Sequence, residues 1–172
     1  MGWKVRMHMN KIAQFEKVSL TNYLEASGLD ETSYNDIKLP KRATTGSAGY
    51  DFFMPHDLEL APGKTAKIAT GIRARIMDGW VLCLFPRSGL GFKYRLQLNN
   101  TVGIIDADYY GSDNEGHIFA KITNDSNEGK TLILKKGEGF MQGIFLPFGI
   151  TEDDEVTEIR NGGFGSTTKK GD

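Results

Sequence analysis

The sequence lacks the features that would commit it to a disulfide scaffold, a membrane or a polyanion. It has one cysteine, Cys83, so no intrachain disulfide can form, and the composition suits a reducing cytoplasm. No apolar run reaches 18 residues, which excludes a transmembrane helix. The formal net charge is -1, so no broad field draws the chain to nucleic acid or to a membrane surface, and any anionic ligand must be held locally. His8, His56 and His117 are scattered without ligand spacing, which argues against zinc. There is no P-loop, no dinucleotide fingerprint and no internal repeat. Lys4 and Arg6 are followed by no apolar stretch, so no secretory signal is expected. Arg6 also occupies the position where a myristoylation signal needs Ser or Thr.

What is present is glycine and short apolar runs. The 172 residues, 39% hydrophobic and 25% charged, suit one soluble domain spanning 1–172. From about Asp57 the chain reads as strand, turn, strand. Leu58-Glu59-Leu60 leads into a turn at Ala61-Pro62-Gly63, and Thr65 to Ile76 alternates as one half-buried strand. Asp78-Gly79 signals a hairpin, and Trp80 to Phe85 is an unbroken apolar run that reads as a core strand holding Cys83. His117 to Asn124 alternates again. Thr131 to Leu134 and Met141 to Leu146 flank a turn at Lys136 to Gly139. Many short strands with regular turns predict an all-β, jelly-roll-like barrel or sandwich. Ser19 to Gly28 reads as a short helix with Ser19 as N-cap and Gly28 as stop, part of a surface excursion over 19–39. Residues 160–172, rich in Gly, Ser, Thr and Lys, are expected to form a mobile C-terminal arm.

Four segments carry chemistry. Pro86-Arg87-Ser88-Gly89-Leu90 follows a core strand. It offers a permanently charged fork, a hydroxyl and a backbone free to approach an anion, although it also reads as a strand-to-helix turn. Gly103-Ile104-Ile105-Asp106-Ala107-Asp108-Tyr109 puts two carboxylates and a ring after a buried strand. In an extended chain both carboxylates share a face, where one could activate water; metal ligation or a plain turn remain open. Asp51, in Ala48-Gly49-Tyr50-Asp51, could orient water on a metal bound to phosphates or simply mark a strand edge. Gly162-Gly163-Phe164-Gly165-Ser166-Thr167 sets a ring among glycines, suited to stacking on a nucleobase, with hydroxyls and amides for phosphates. Gln142, inside an apolar strand, needs a polar partner.

Taken in chain order, with the Gly137 to Phe148 strand pair that carries Gln142 and the run Arg160 to Thr167, these segments resemble the five motifs of the trimeric dUTPases (deoxyuridine triphosphate nucleotidohydrolases). The resemblance implies a jelly-roll subunit in a homotrimer whose sites are shared between subunits. It implies hydrolysis of dUTP to dUMP and pyrophosphate with Mg²⁺, which limits uracil in DNA and supplies dUMP for dTMP synthesis. By the same resemblance Asp106 is the base, and Tyr109 lies against the deoxyribose. Asn100, favoured over Asn99, reads uracil with the backbone of Gly103, Ile104 and Ile105 as far as Asp106. Arg87, Ser88, Gly89 and Gln142 hold phosphates, and Asp51 meets the metal through water. Phe164 stacks on uracil, with Arg160, Gly165, Ser166 and Thr167 on the outer phosphates. No nucleic-acid or membrane partner is implied.

The chain departs from that pattern in a longer stretch over Tyr110 to Glu115 and in the 19–39 excursion. Two other readings compete. A dCTP deaminase shares the fold, and Glu115-Gly116-His117-Ile118 matches the start of its Glu-Gly-His-Ile-x-x-Glu pattern, but Lys121 ends it. A nucleotide-responsive regulatory binding protein of the same fold would use the helix near Asn22.

Overall fold

Alternation decides which way each short strand faces. In the computed structural model, which describes residues 10–158 and Arg160, β1 (Ala13–Lys17) is followed by α1 (Leu20–Ser27) and α2 (Glu31–Asn35). Then come β2 (Lys41–Arg42), β3 (Tyr50–Phe53), β4 (Leu58–Leu60), β5 (Thr65–Ala69), β6 (Ile72–Ile76) and β7 (Trp80–Pro86). The chain continues through α3 (Ser88–Tyr94), β8 (Leu96–Leu98), β9 (Gly103–Ile105) and a 3-10 helix (Ala107–Gly111). It closes with β10 (Phe119–Asn124), β11 (Leu132–Leu134) and β12 (Gly139–Pro147). Ile72, Ala74 and Ile76 of β6 point inward while Arg73 and Arg75 point out, and Leu96/Leu98 and Leu132/Leu134 do the same around Gln97 and Ile133.

All ladders are antiparallel, and the strands form a five-stranded sheet in the order β2-β3-β12-β7-β9, a three-stranded sheet β5-β10-β8, and the pairs β1-β6 and β11-β4. Their inner faces share one hydrophobic core that includes Phe52, Leu82, Leu84, Ile118, Ile122 and Met141. This is the mostly β, jelly-roll-like architecture that the turn spacing predicts.

Several local expectations are corrected. The run from Thr65 to Ile76 is two strands, because the chain breaks at Thr70-Gly71. Asp78-Gly79 does turn the chain, with Trp80 N–H donating to the Met77 carbonyl, but it makes no hairpin: β6 pairs with β1 and β7 with β12 and β9. The expected strand pair over Gly137 to Phe148 is the single strand β12, with an irregularity between Gly139 and Met141. His117 and Ile118 precede β10 rather than opening it.

The 19–39 segment is more than a surface excursion. Ser19 and Gly28 bound α1 as predicted: Ser19 accepts from Asn22 N–H, and Gly28 is left-handed. Yet Tyr23 is fully buried. It is seated on Gly71, whose φ of +71° breaks the strand and where a Cβ would fall 2.4 Å from Ile37 Cδ1 and 3.1 Å from the Tyr23 ring. The Gly71 carbonyl also accepts from Val18 N–H. Replacing Gly71 with Ala therefore forces both a strained φ and an overpacked contact, and should cost about 2–3 kcal/mol in urea unfolding. A loss below about 0.5 kcal/mol would show that the α1 seat is not under this constraint.

Candidate active site

The sequence-predicted anion group assembles at one end of β7. Gln142 in β12 sits between Asp51 in β3 and Phe85 in β7. Arg87 follows β7 at the start of α3, so the strand-to-helix turn read from Pro86 to Leu90 is present. Its Nε lies 3.3 Å from Asp51 Oδ1, and its Nη1 donates to the Gly139 carbonyl at 3.2 Å. Gly49 has no Cβ to meet the Gln142 amide oxygen, which would lie 2.4 Å away. Arg87, Ser88 and Gly89 line an open cleft of about 530 Å³ with Lys93, Tyr94 and Gly139. The cleft thus combines cationic and hydroxyl donors, the requirement for binding phosphate oxygens.

A second group forms beyond β8. Leu96–Leu98 pairs with β10 and Gly103–Ile105 with β7, so the connection between them is an arch between sheets. Beneath it is a cavity of about 40 Å³ lined by Asn100, Gly103, Ile104 and Ile105 with Leu84, Leu98 and Phe119 among its walls. Asn99 is turned to β10, its side chain accepting from Thr123 Oγ1 at 2.8 Å, so Asn100 is the asparagine that faces the cavity.

Asp106 caps the 3-10 helix in extended backbone directly after β9. The two carboxylates do not share a face by extension. They converge through Arg160, which donates from Nη2 to Asp106 Oδ2 at 2.6 Å and holds its Nε 3.2 Å from Asp108 Oδ1. The Asp106 side chain remains 46% exposed, so one chain alone does not shield it from bulk water. Tyr109 is buried beneath Arg160, whose guanidinium carbon lies 5.8 Å from the ring centroid. Burial raises its phenol pKa, which keeps the hydroxyl a donor. That hydroxyl donates to the His117 carbonyl and accepts from Asn114 Nδ2, both at 2.8 Å. Tyr110 points the other way and donates to Glu16 Oε2 at 2.7 Å, with Arg73 over its ring and paired to Glu16.

The two groups lie apart. Ile105, next to Asp106, is opposite Leu82, five residues and therefore roughly 16 Å along β7 from Arg87. Phe164, Gly165, Ser166 and Thr167 lie outside the described residues. Among the described residues no three His, Cys, Asp or Glu side chains could cage a metal ion. Asp51, beside the phosphate-type cleft, suits an ion that keeps its waters and is held mainly by a ligand's phosphates.

His117 is the residue that sequence reasoning undervalued. It is fully buried; Nε2 accepts from Gly71 N–H at 2.9 Å and Nδ1 meets Asn22 Oδ1 at 2.8 Å, an arrangement that fixes a neutral ring protonated at Nδ1. The Glu115 carboxylate accepts from Ser19 N–H and Oγ–H, which lowers its pKa. Both deaminase-like residues are therefore occupied in holding α1. The one available signal was a polar cluster, Asn114-Glu115-Gly116-His117, just after the paired tyrosines. Asn22 turns inward as well, donating from Nδ2 to the Asn114 carbonyl at 3.1 Å, so this side chain is not presented to a binding partner.

The dUTPase family model matches residues 35–168. The deoxyuridine 5'-triphosphate nucleotidohydrolase of Lactococcus lactis is 44% identical over 134 residues, covering 76% of this chain and 88% of the relative. That of Tolumonas auensis is 38% identical over 152 residues, covering 84% and 96%. Among solved structures, a dUTPase from Streptococcus mutans superposes with a TM-score of 0.63 at 38% identity, covering 80% of this chain and 98% of that one. The dUTPase of S. aureus phage phi11, which coordinates a structural Mg(II) ion, superposes at 0.62 over 86% of this chain and 98% of that one, and its 23% identity speaks to the fold alone.

Burial pushes the His117 imidazole from 6.5 down to about 4. Above pH 6.5 the ring is neutral in both states. As pH falls towards 4 the unfolded chain binds a proton that the native chain refuses, so stability declines by about 3 kcal/mol across that window. Urea unfolding at pH 7.5 and 4.5 should reveal this loss, and His117→Gln should flatten it; an unchanged pH slope in the variant would contradict the assignment.

Proposed function

The chain belongs to the dUTPase family, and from that premise we propose that it hydrolyses dUTP to dUMP and pyrophosphate with Asp106 as the general base. The observation that carries this reading is Asp106 itself, a partly exposed carboxylate that closes β9 immediately beyond the cavity lined by Asn100, Gly103, Ile104 and Ile105. A nucleobase edge read there by backbone groups is discriminating. Cytosine would present the wrong donors and leave buried polar groups unpaired, a penalty of several kcal/mol.

In the proposed reaction Asp106 takes a proton from water as the water oxygen bonds to the α-phosphorus. The bond from that phosphorus to the bridging oxygen breaks, and pyrophosphate leaves. Such displacement depends on position and charge stabilisation. Arg87, Ser88, Gly89 and Gln142 would hold the phosphates, and Asp51 would hold Mg²⁺ through water. When bound, the ion would offset charge on phosphate oxygens. Tyr109 would lie against the deoxyribose, where a 2'-hydroxyl has no room; part of its present cover is Arg160. Arg160 would leave Asp106 for the outer phosphates, which frees the carboxylate to accept a proton. Gly165, Ser166 and Thr167 would join it there, and Phe164 would cover uracil.

The proposed assembly is a homotrimer. Two features support shared sites: the separation of Asp106 from Arg87 along a rigid strand, and the solvent exposure of Asp106 within one chain. Ile104, 54% exposed beside the cavity, gives a second copy an apolar contact. No helix among the described residues is long and apolar enough to cross a membrane. A single domain working in the cytoplasm, clearing dUTP and providing dUMP, fits this reading.

Pyrophosphate release from dUTP with Mg²⁺ provides the test. Asp106→Asn should lower kcat by about 10²–10⁴-fold with little change in KM. Wild-type protein without turnover, or a variant with unchanged kcat, would overturn the proposal.

A further inference from the structure

The 3-10 helix that carries Asp106 and Tyr109 is gripped by a segment lying before the 35–168 stretch that matches the family. Helix α1 begins at Ser19, which is bound to Glu115 through two hydrogen bonds of 2.7 and 2.6 Å. Tyr23 buries itself against the same segment, 6.5 Å from the His117 ring. Between them, Asn22 accepts from His117 Nδ1–H and donates to the Asn114 carbonyl. His117 and Asn114 in turn both hold the Tyr109 hydroxyl, one through its carbonyl and the other through its side-chain amide. Tyr109 N–H donates to the Asp106 carbonyl, so ring and base ride on one turn. The circuit is closed: Asn22, His117, Tyr109 and Asn114 each satisfy two others or the chain between them.

We propose that Asn22 is a positioning residue that sets discrimination between deoxyribose and ribose nucleotides, acting through Tyr109. The inference rests on the reading that Tyr109 lies against the sugar. A ring excludes one hydroxyl only if it cannot yield, because a displacement on the order of 1 Å opens room for the extra oxygen. Tyr109 is held at its far end, by its hydroxyl, and His117 and Asn114, which hold it, are tied together through His117 Nδ1 and the Asn114 carbonyl by the two ends of the Asn22 amide. Without that amide a buried N–H on His117 loses its acceptor and the Asn114 carbonyl loses its donor. The loop from Asn114 to His117 then loses its link to α1, and the ring gains freedom towards the site.

The measurement is the ratio of kcat/KM for dUTP to kcat/KM for UTP, by pyrophosphate release with Mg²⁺. This ratio does not depend on how much of the preparation is folded, so a merely structural loss leaves it unmoved. Asn22→Ala should lower it at least tenfold, through faster turnover of UTP relative to dUTP. Asn22→Asp keeps an acceptor for His117 but sets a charged oxygen against the Asn114 carbonyl in place of the donor; it should lower the ratio as well. In a Tyr109→Phe background, which has no hydroxyl to hold, Asn22→Ala should change the ratio little further. Asn22→Asp and Asn22→Ala both keeping the wild-type ratio would overturn the proposal, and Asn22→Asp alone decides it if the alanine variant does not fold. Asp106→Asn run alongside separates the two readings: wild-type activity that survives that change counts against the assigned base, not against Asn22.

Discussion

The rigidity of β7 is the constraint on which the rest of this structure depends. Seven residues long and paired on both edges, the strand carries Arg87 beyond its C-terminal end and holds β9, with Asp106 at its tip, near its N-terminal half. A paired strand cannot fold back on itself, so its length fixes how far the base stands from the phosphate-type cleft. Within one chain the two groups therefore stay apart, and Asp106 stays partly exposed; in the proposed assembly a second copy brings the phosphate group to the carboxylate.

A second constraint fixes orientation within the Asp106 half. Tyr109 and Tyr110 are adjacent yet anchored on opposite sides, one to His117 and Asn114 and the other to Glu16. Each anchor reaches the N-terminal region, through Asn22 and Ser19 on α1 and through Glu16 on β1. A turn pinned from two sides has little freedom to rotate, which is the preorganisation that a base and a shape-selective ring both need. His117 contributes as a neutral, buried connector. Its value lies in two hydrogen bonds at fixed directions, and a charge there would cost more than it returns.

Strands such as β6 and β10 were legible from alternation, β7 from its unbroken apolar run, and helix α1 from Ser19 and Gly28, whereas the short strands β1, β2 and β8 were not read. Pairing was not, since a turn such as Asp78-Gly79 reverses a chain equally well within a sheet or between two sheets. Gly71 was read inside a strand because its neighbours alternate; its real reason, the Tyr23 ring above it, lies 48 residues away in sequence. The same holds at the site. Arg87 was legible as an anion-type side chain, Asp51 as a carboxylate at a strand edge or near a metal, and Gln142 as an amide in need of a partner, and the structure joins them through one sheet register. Asn22 and His117 stand 95 residues apart and no sequence pattern links them, so only the folded chain reveals that they form one circuit.

In the proposed assembly a complete site takes its base and its phosphate group from different copies of the chain. Complementation between two disabled variants tests it most directly. Asp106→Asn and Arg87→Ala, each inactive alone, are mixed, dissociated together and allowed to reassemble, and dUTP hydrolysis is measured. Sites shared between chains should regain about a quarter of the wild-type rate on random assembly of equal amounts. Mixed oligomers that form yet stay as inactive as their parents would mean that each chain carries its own complete site, and the account would be contradicted.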